Sequence, residues 1–81
     1  VAVAIGYDPE NYAAPWIIAK GKDNSAQWII NEAQKYNIPI MRDVPLAHQL
    51  FDEGEIMKYI PPSTYEAMAE VLRFIMGLQP G

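Results

Sequence analysis

The chain has 81 residues, 51% of them hydrophobic and 20% charged, with six basic against ten acidic side chains for a formal net charge of −4. That length makes one small domain, and two Trp and five Tyr supply enough large apolar surface for a core without staples. The lack of cysteine excludes a disulfide scaffold and thiolate zinc sites, and dispersed acidic charge with no Lys/Arg stripe argues against a nucleic-acid or anionic-membrane surface.

The chain enters at once into an apolar run, Val1-Ala2-Val3-Ala4-Ile5, which predicts a strand over residues 1–7. Alanines alternating with branched residues suggest burial on both faces, the small side chains facing a close neighbour. A domain that starts in a strand with no polar lead-in is expected either to have been cut from a longer chain or to have lost a partner segment beside that strand. Whatever preceded Val1 is expected to matter to function. Within these residues there is neither a membrane-length apolar run nor a secretory leader, a property of this stretch and not of what precedes it. Asp8-Pro9-Glu10-Asn11 reads as a turn, with loop to Pro15. Trp16-Ile17-Ile18-Ala19 is the second predicted strand, stopped by Lys20-Gly21-Lys22.

Asn24 with Gln27 fits a capping box, with Asp23 as the alternative cap, and opens a helix that runs to about Tyr36. Its Ala26, Ile29, Ile30 and Ala33 share the face needed to cover a sheet. Ile38-Pro39-Ile40-Met41 reads as a short third strand, on an edge because proline removes a ladder donor. Strand, helix and strand together then predict a right-handed β-α-β unit.

Asp43 caps a shorter second helix with Pro45 in its first turn, where a missing N–H is harmless. Leu46, Ala47, Leu50 and Phe51 form its apolar face. Residues 52–55 are a turn, and Ile56 to Ile60 is either a helical turn or a very short strand. Pro61-Pro62 precedes Ser63-Thr64-Tyr65-Glu66, another capping-box match. The last helix places Ala67, Val71, Leu72, Ile75 and Leu78 near one face and ends around Met76-Gly77. The predicted fold is a small single α/β domain over residues 1–81, a short mixed sheet flanked by helices whose first strand is completed by an upstream segment.

The inventory for chemistry is thin. His48 is the lone histidine, so no His/Cys metal cluster and no cysteine nucleophile can be assembled, and it reads first as a surface or packing residue and second as a partner contact. Asp52, Glu53 and Glu55 surround Gly54 but lack the calcium-loop pattern and read as a solvated turn. Ala19-Lys20-Gly21-Lys22 matches no phosphate-binding loop, and Lys20 and Lys22 read as a solvated strand end facing an acidic partner. Among the hydroxyls Ser25, Ser63 and Thr64, two occupy helix starts that capping explains. Trp28 stands off the helix stripe, with core or rim packing as the default and an interface as the alternative. No cofactor or metal is called for, and the residues by themselves describe an interaction module rather than an independent enzyme.

Several segments together resemble the cytoplasmic C-terminal domain of the FlhB/YscU family, the export-gate switch proteins of flagellar and virulence type III secretion. They are Val1-Ala2-Val3-Ala4-Ile5-Gly6-Tyr7, Ala14-Pro15 before a strand, Ala19-Lys20-Gly21, Asn37-Ile38-Pro39-Ile40, Val44-Pro45-Leu46-Ala47-His48-Gln49-Leu50, Ile60-Pro61 and Tyr65-Glu66-Ala67-Met68-Ala69-Glu70-Val71-Leu72. The likeness covers nearly the whole chain in order. No single piece is diagnostic, but the set is specific, and Ala19-Lys20-Gly21 leans toward the flagellar branch without excluding a virulence system.

The resemblance implies a self-cleaving Asn-Pro-Thr-His tetrapeptide just before the strand at Val1. There the Asn side-chain nitrogen attacks its own main-chain carbonyl in a strained turn and releases the proline amine, with proximity doing the work of a catalytic triad. Nucleophile, scissile bond and motif histidine would then lie upstream of residue 1. No catalytic residue falls within this chain, and His48 is not the motif histidine. The resemblance further implies a parent held in the bacterial inner membrane by upstream helices, with this domain on the cytoplasmic face. Its implied partners are the N-terminal piece of the same protein, other export-gate components, secretion substrates and a length-control protein. The switch surface is expected at Val1, Ala2 and Val3, with Pro45, Leu46, Ala47 and His48 close by. Two rivals stand beside this reading: a soluble adaptor with no membrane parent, and a small phosphate- or nucleotide-binding fragment.

Overall fold

A computed structural model describes residues 1–77. It holds strands β1 (Ala2–Gly6) and β2 (Trp16–Gly21), helices α1 (Asn24–Lys35), α2 (Val44–Glu53) and α3 (Tyr65–Met76), and a 3-10 turn at Pro62–Thr64. β1 and β2 pair antiparallel, Ala2 opposite Gly21, Val3 opposite Lys20 and Ala4 opposite Ala19. The register slips between Ala4 and Ile5, so that Ile5 faces Ile17 and Ile18 is the extra residue of a bulge in β2.

Directly opposed residues of an antiparallel pair share a face. Val3, Ile5 and Ile17 join the core of Leu46, Leu50, Ile60 and Met68, so this is the face that α2 and α3 cover. Ala2, Ala4, Ala19 and Gly21 take the other face, under α1, whose Ala26 is buried and whose Ser25 lies so near Gly21 that a Cβ there would stand 2.7 Å from it. Small residues on one face and branched ones on the other let a two-stranded ribbon sit between two helical layers. Each fully buried Ile in that core contributes on the order of 2 kcal/mol.

The predicted third strand does not form. Asn37 takes the left-handed conformation (φ 57°) at the end of α1, its N–H bonding Gln34 O at 3.2 Å and that of Ile38 bonding Ala33 O at 2.8 Å. This is a Schellman closure with asparagine in the glycine position. It turns the chain out of sheet range, leaving Ile38 and Ile40 exposed, and with the strand goes the predicted β-α-β crossover. The second edge of β2 is instead taken by the segment whose conformation the pattern left open. Tyr59 bridges Trp16 antiparallel and Ile56 bridges Ile17 parallel. The mixed character expected of the sheet is confined to these bridges; the small α/β architecture, a short sheet flanked by helices, is as predicted.

Asp43 caps α2 through Oδ1, which accepts from Leu46 N at 3.2 Å, with Pro45 in the first turn. The other two capping boxes are absent. Asp23 holds the N-cap position of α1 at φ 54° without a side-chain bond, while Gln27 bonds Asn31. At the start of α3 the Thr64 hydroxyl donates back to Pro61 O at 2.7 Å, and Ser63 donates to Glu53. α3 ends at Gly77 in the left-handed region, and Leu78 lies outside the described residues.

Candidate functional site

The two edges of the ribbon differ. Ile17 donates its N–H to Lys58 O (3.0 Å) and accepts from Met57 N (2.7 Å), so both its backbone groups point away from β1. A facing antiparallel pair exchanges either both hydrogen bonds or neither, so Ile5, opposite Ile17, turns its own N–H and C=O outward. By strand alternation Val3 does the same, while Ala2 and Ala4 bond to β2. The free edge of β1 therefore offers the backbone groups of Val3 and Ile5, and no described segment pairs with it.

That edge is the floor of a groove of about 910 Å³. Trp28, Ile29 and Ala33 of α1 form one wall, and Leu46, Ala47 and Val71 of α2 and α3 form the other. The 36–44 segment closes one end, bringing the exposed Ile38 and Ile40 to the rim. Trp28 is 63% exposed and so is not packed in the core. The lining is predominantly apolar, with Glu32, Arg42, Asp43 and His48 among its polar members.

Six of the seven residues expected at the switch surface meet here. Val1, Ala2 and Val3 lie along the floor, and Leu46, Ala47 and His48 along the α2 wall. Pro45 does not line the groove; it is an exposed first-turn residue of α2. Reading by sequence missed Trp28, Ile38 and Ile40 as members of the same groove, because the third strand it predicted would have buried the two isoleucines. It also missed a second, smaller hollow of about 420 Å³ walled by Tyr7, Pro15, Tyr59, Tyr65 and Leu72. Its tyrosines come from separate segments with no shared spacing.

Lys20 corrects an expectation. It does not face a solvated partner surface. Its Nζ donates to Phe51 O at 2.9 Å and to Gly54 O at 2.8 Å, and sits 5.2 Å from the Phe51 ring centroid. Of the acidic turn, Glu53 is engaged by Ser63. Among the described residues no helix is long and apolar enough to cross a membrane.

Fold and site define a small α/β module with one closed sheet edge and one open edge set between helical layers. Residues 1–75 match the model of the FlhB HrpN YscU SpaS family. The chain is 41% identical over 76 residues to the flagellar biosynthetic protein FlhB of Aquifex aeolicus, covering 94% of this chain and 22% of that protein. It is 40% identical over 77 residues to the uncharacterized protein YlqH of Bacillus subtilis, covering 95% of this chain and 82% of that one. The crystal structure of the cytoplasmic domain of FlhB from Shewanella putrefaciens superposes with a TM-score of 0.88 at 38% identity, over 95% of this chain and 62% of that one. The chain belongs to the FlhB HrpN YscU SpaS family. It spans about a fifth of the length of its flagellar relative in Aquifex and most of the length of YlqH.

Proposed function

We propose that the chain is the cytoplasmic part of a type III export-switch protein and that the open edge of β1 receives the segment preceding Val1 as an additional strand. The observation that carries this reading is the asymmetry of the ribbon. The Ile56–Ile60 segment blocks one edge, whereas the other presents the N–H and C=O of Val3 and Ile5 inside an apolar groove. An inserted strand gains main-chain bonds from the edge and burial from both helical layers. The loop that joins such a strand to Val1 then lies at the Val1 end of the groove.

In this reading self-cleavage occurs in that joining loop, upstream of residue 1, and the two pieces stay together through the sheet. Cleavage changes the surface around Val1, Ala2 and Val3 and the adjoining α2 wall. With it changes which secretion substrates the apparatus accepts, in concert with other export-gate components and a length-control protein. The domain supplies position and surface, and no catalytic side chain of its own. Its parent is held at the cytoplasmic face of the inner membrane by segments that precede this domain.

A second reading is favoured by the match to YlqH, of which this domain makes up 82%. In that reading the same fold serves this chain as a soluble protein-interaction adaptor without a membrane parent. One experiment separates the two: intact mass under denaturing conditions of the protein carrying its native upstream sequence. Two species summing to the full chain plus one water, the later beginning Pro-Thr-His, support the switch. A single species from a chain that lacks the tetrapeptide supports the adaptor.

A further inference from the structure

The end of α2 lacks the usual means of closure. Its C-cap residue Gly54 is extended (φ −87°, ψ 158°) rather than left-handed, its last turn has no basic residue, and Asp52 and Glu53 sit where the helix dipole disfavours negative charge. The missing cation comes from β2. Lys20 binds the carbonyls of Phe51 and Gly54 and lies against the Phe51 ring. On its own strand Lys20 stands directly opposite Val3, whose outward backbone groups belong to the open edge. Asp43 caps the first turn of α2 from within the helix, and the stretch between that cap and the carbonyls held by Lys20 carries Leu46, Ala47 and His48, one wall of the groove.

We infer that Lys20 is a positioning residue for the groove: by tying the C-terminal end of α2 to the strand pair, it sets how far the α2 wall stands from the β1 edge. The inference takes the groove's importance from the strand-docking reading above, but its own test needs no docked strand. A terminal cap acting only locally would matter to the last turn of a helix. Lys20 reaches further because α2 has only ten residues: with Leu46 and Leu50 held in the core, loosening the end that Lys20 ties to β2 tilts the whole short helix about those buried residues.

The test compares backbone and methyl NMR spectra of the wild type, Lys20→Met and Lys20→Arg. In Lys20→Met the Gly54 amide is expected to exchange about tenfold faster, as for loss of one charge-assisted bond network. The Leu46 and Ala47 methyls and the His48 imidazole, at the far end of the helix, are expected to shift with it, while cross-strand contacts between β1 and β2 remain. Lys20→Arg is expected to restore most of both changes. Perturbation confined to Phe51–Glu55, with Leu46, Ala47 and His48 unmoved, overturns the inference and leaves Lys20 a local cap. If Lys20→Met does not fold, Lys20→Gln, which keeps a donor without the charge, is judged by the same resonances. Failure of the upstream segment to enter the groove in the extended protein would remove the docking reading while leaving the Lys20 result intact.

Discussion

Gly54 lies against Ile17 with no space between them for a side chain. A Cβ at Gly54 would overlap the Ile17 Cδ1 and stand 2.6 Å from the Leu50 carbonyl oxygen. The backbone there is ordinary, φ −87°, so glycine is required by contact and not by conformation. The close approach seats the end of α2 on β2 and brings Phe51 O and Gly54 O within reach of Lys20.

Gly54→Ala is therefore expected to destabilise the domain by about 2–3 kcal/mol, the upper range for overpacking a tight core. Urea denaturation reads this as a lowered midpoint at unchanged slope. Ile17→Val removes the clashing Cδ1 and by itself costs about 1 kcal/mol. The double variant should lose less than the sum of the two, because the residues are in contact. Strict additivity would mean that the Leu50 carbonyl alone carries the penalty.

The pattern of apolar residues made most of the fold legible, and its failures have specific causes. β1, β2 and the three helices follow from runs and stripes that need no distant information. Asp43 and Gly77 act as their types predict because a cap depends on its own turn. Ile38-Pro39-Ile40 failed because alternation cannot tell a strand from an exposed apolar stretch when the partner strand is missing, and the left-handed Asn37 had already redirected the chain. Met68 was passed over as a core residue in favour of its neighbours, although it is 4% exposed at the centre of the cluster. For the site, the residues expected from family likeness gathered along one groove, but the long-range pairing of Lys20 with the end of α2 has no local signature.

The two aspartates that precede helices should respond oppositely. Asp43→Ala removes a side-chain cap and is expected to cost about 1 kcal/mol. Asp23 makes no such bond and holds φ 54°, ψ −121°, a conformation that a side chain resists. Asp23→Gly should therefore raise stability by about 0.5–1 kcal/mol, as relief of backbone strain outweighs the added freedom of the unfolded chain. Thermal melts of both variants check the pair. A loss of stability in Asp23→Gly would show that the carboxylate contributes to α1 through its charge.

The hydrogen-bonding parity deduced for β1 can be tested one atom at a time. Replacing the Ala4 amide by an ester through semisynthesis removes a bond to β2, and should lower stability by about 1 kcal/mol. The same replacement at Val3 removes an N–H that faces the open edge and should leave this chain's stability unchanged. In the protein carrying its upstream segment the Val3 ester should become costly as well, by a similar amount. A cost at Val3 with none at Ala4 in the short chain would show that the parity has been assigned the wrong way round.

Trp28 gives a direct reading of whether the groove fills. Trp16 packs against Gly6 and lies 4.8 Å from the Tyr12 ring, whereas Trp28 is 63% exposed on the groove wall. With Trp16→Phe the emission comes from Trp28 alone and should resemble that of a hydrated indole. Trp16 covers Gly6, so the substitution is expected to cost about 1–2 kcal/mol, and a melt must first show that the variant remains folded. Extending this variant through its native upstream segment should shift the emission to the blue and protect the indole from acrylamide, because a strand seated on Val3 and Ile5 excludes water from the α1 wall. Cleavage in the joining loop should leave that shift in place, since the strand is held by the sheet and not by the peptide bond. Emission unchanged by the extension would mean that the upstream chain runs elsewhere and that the β1 edge serves a different partner.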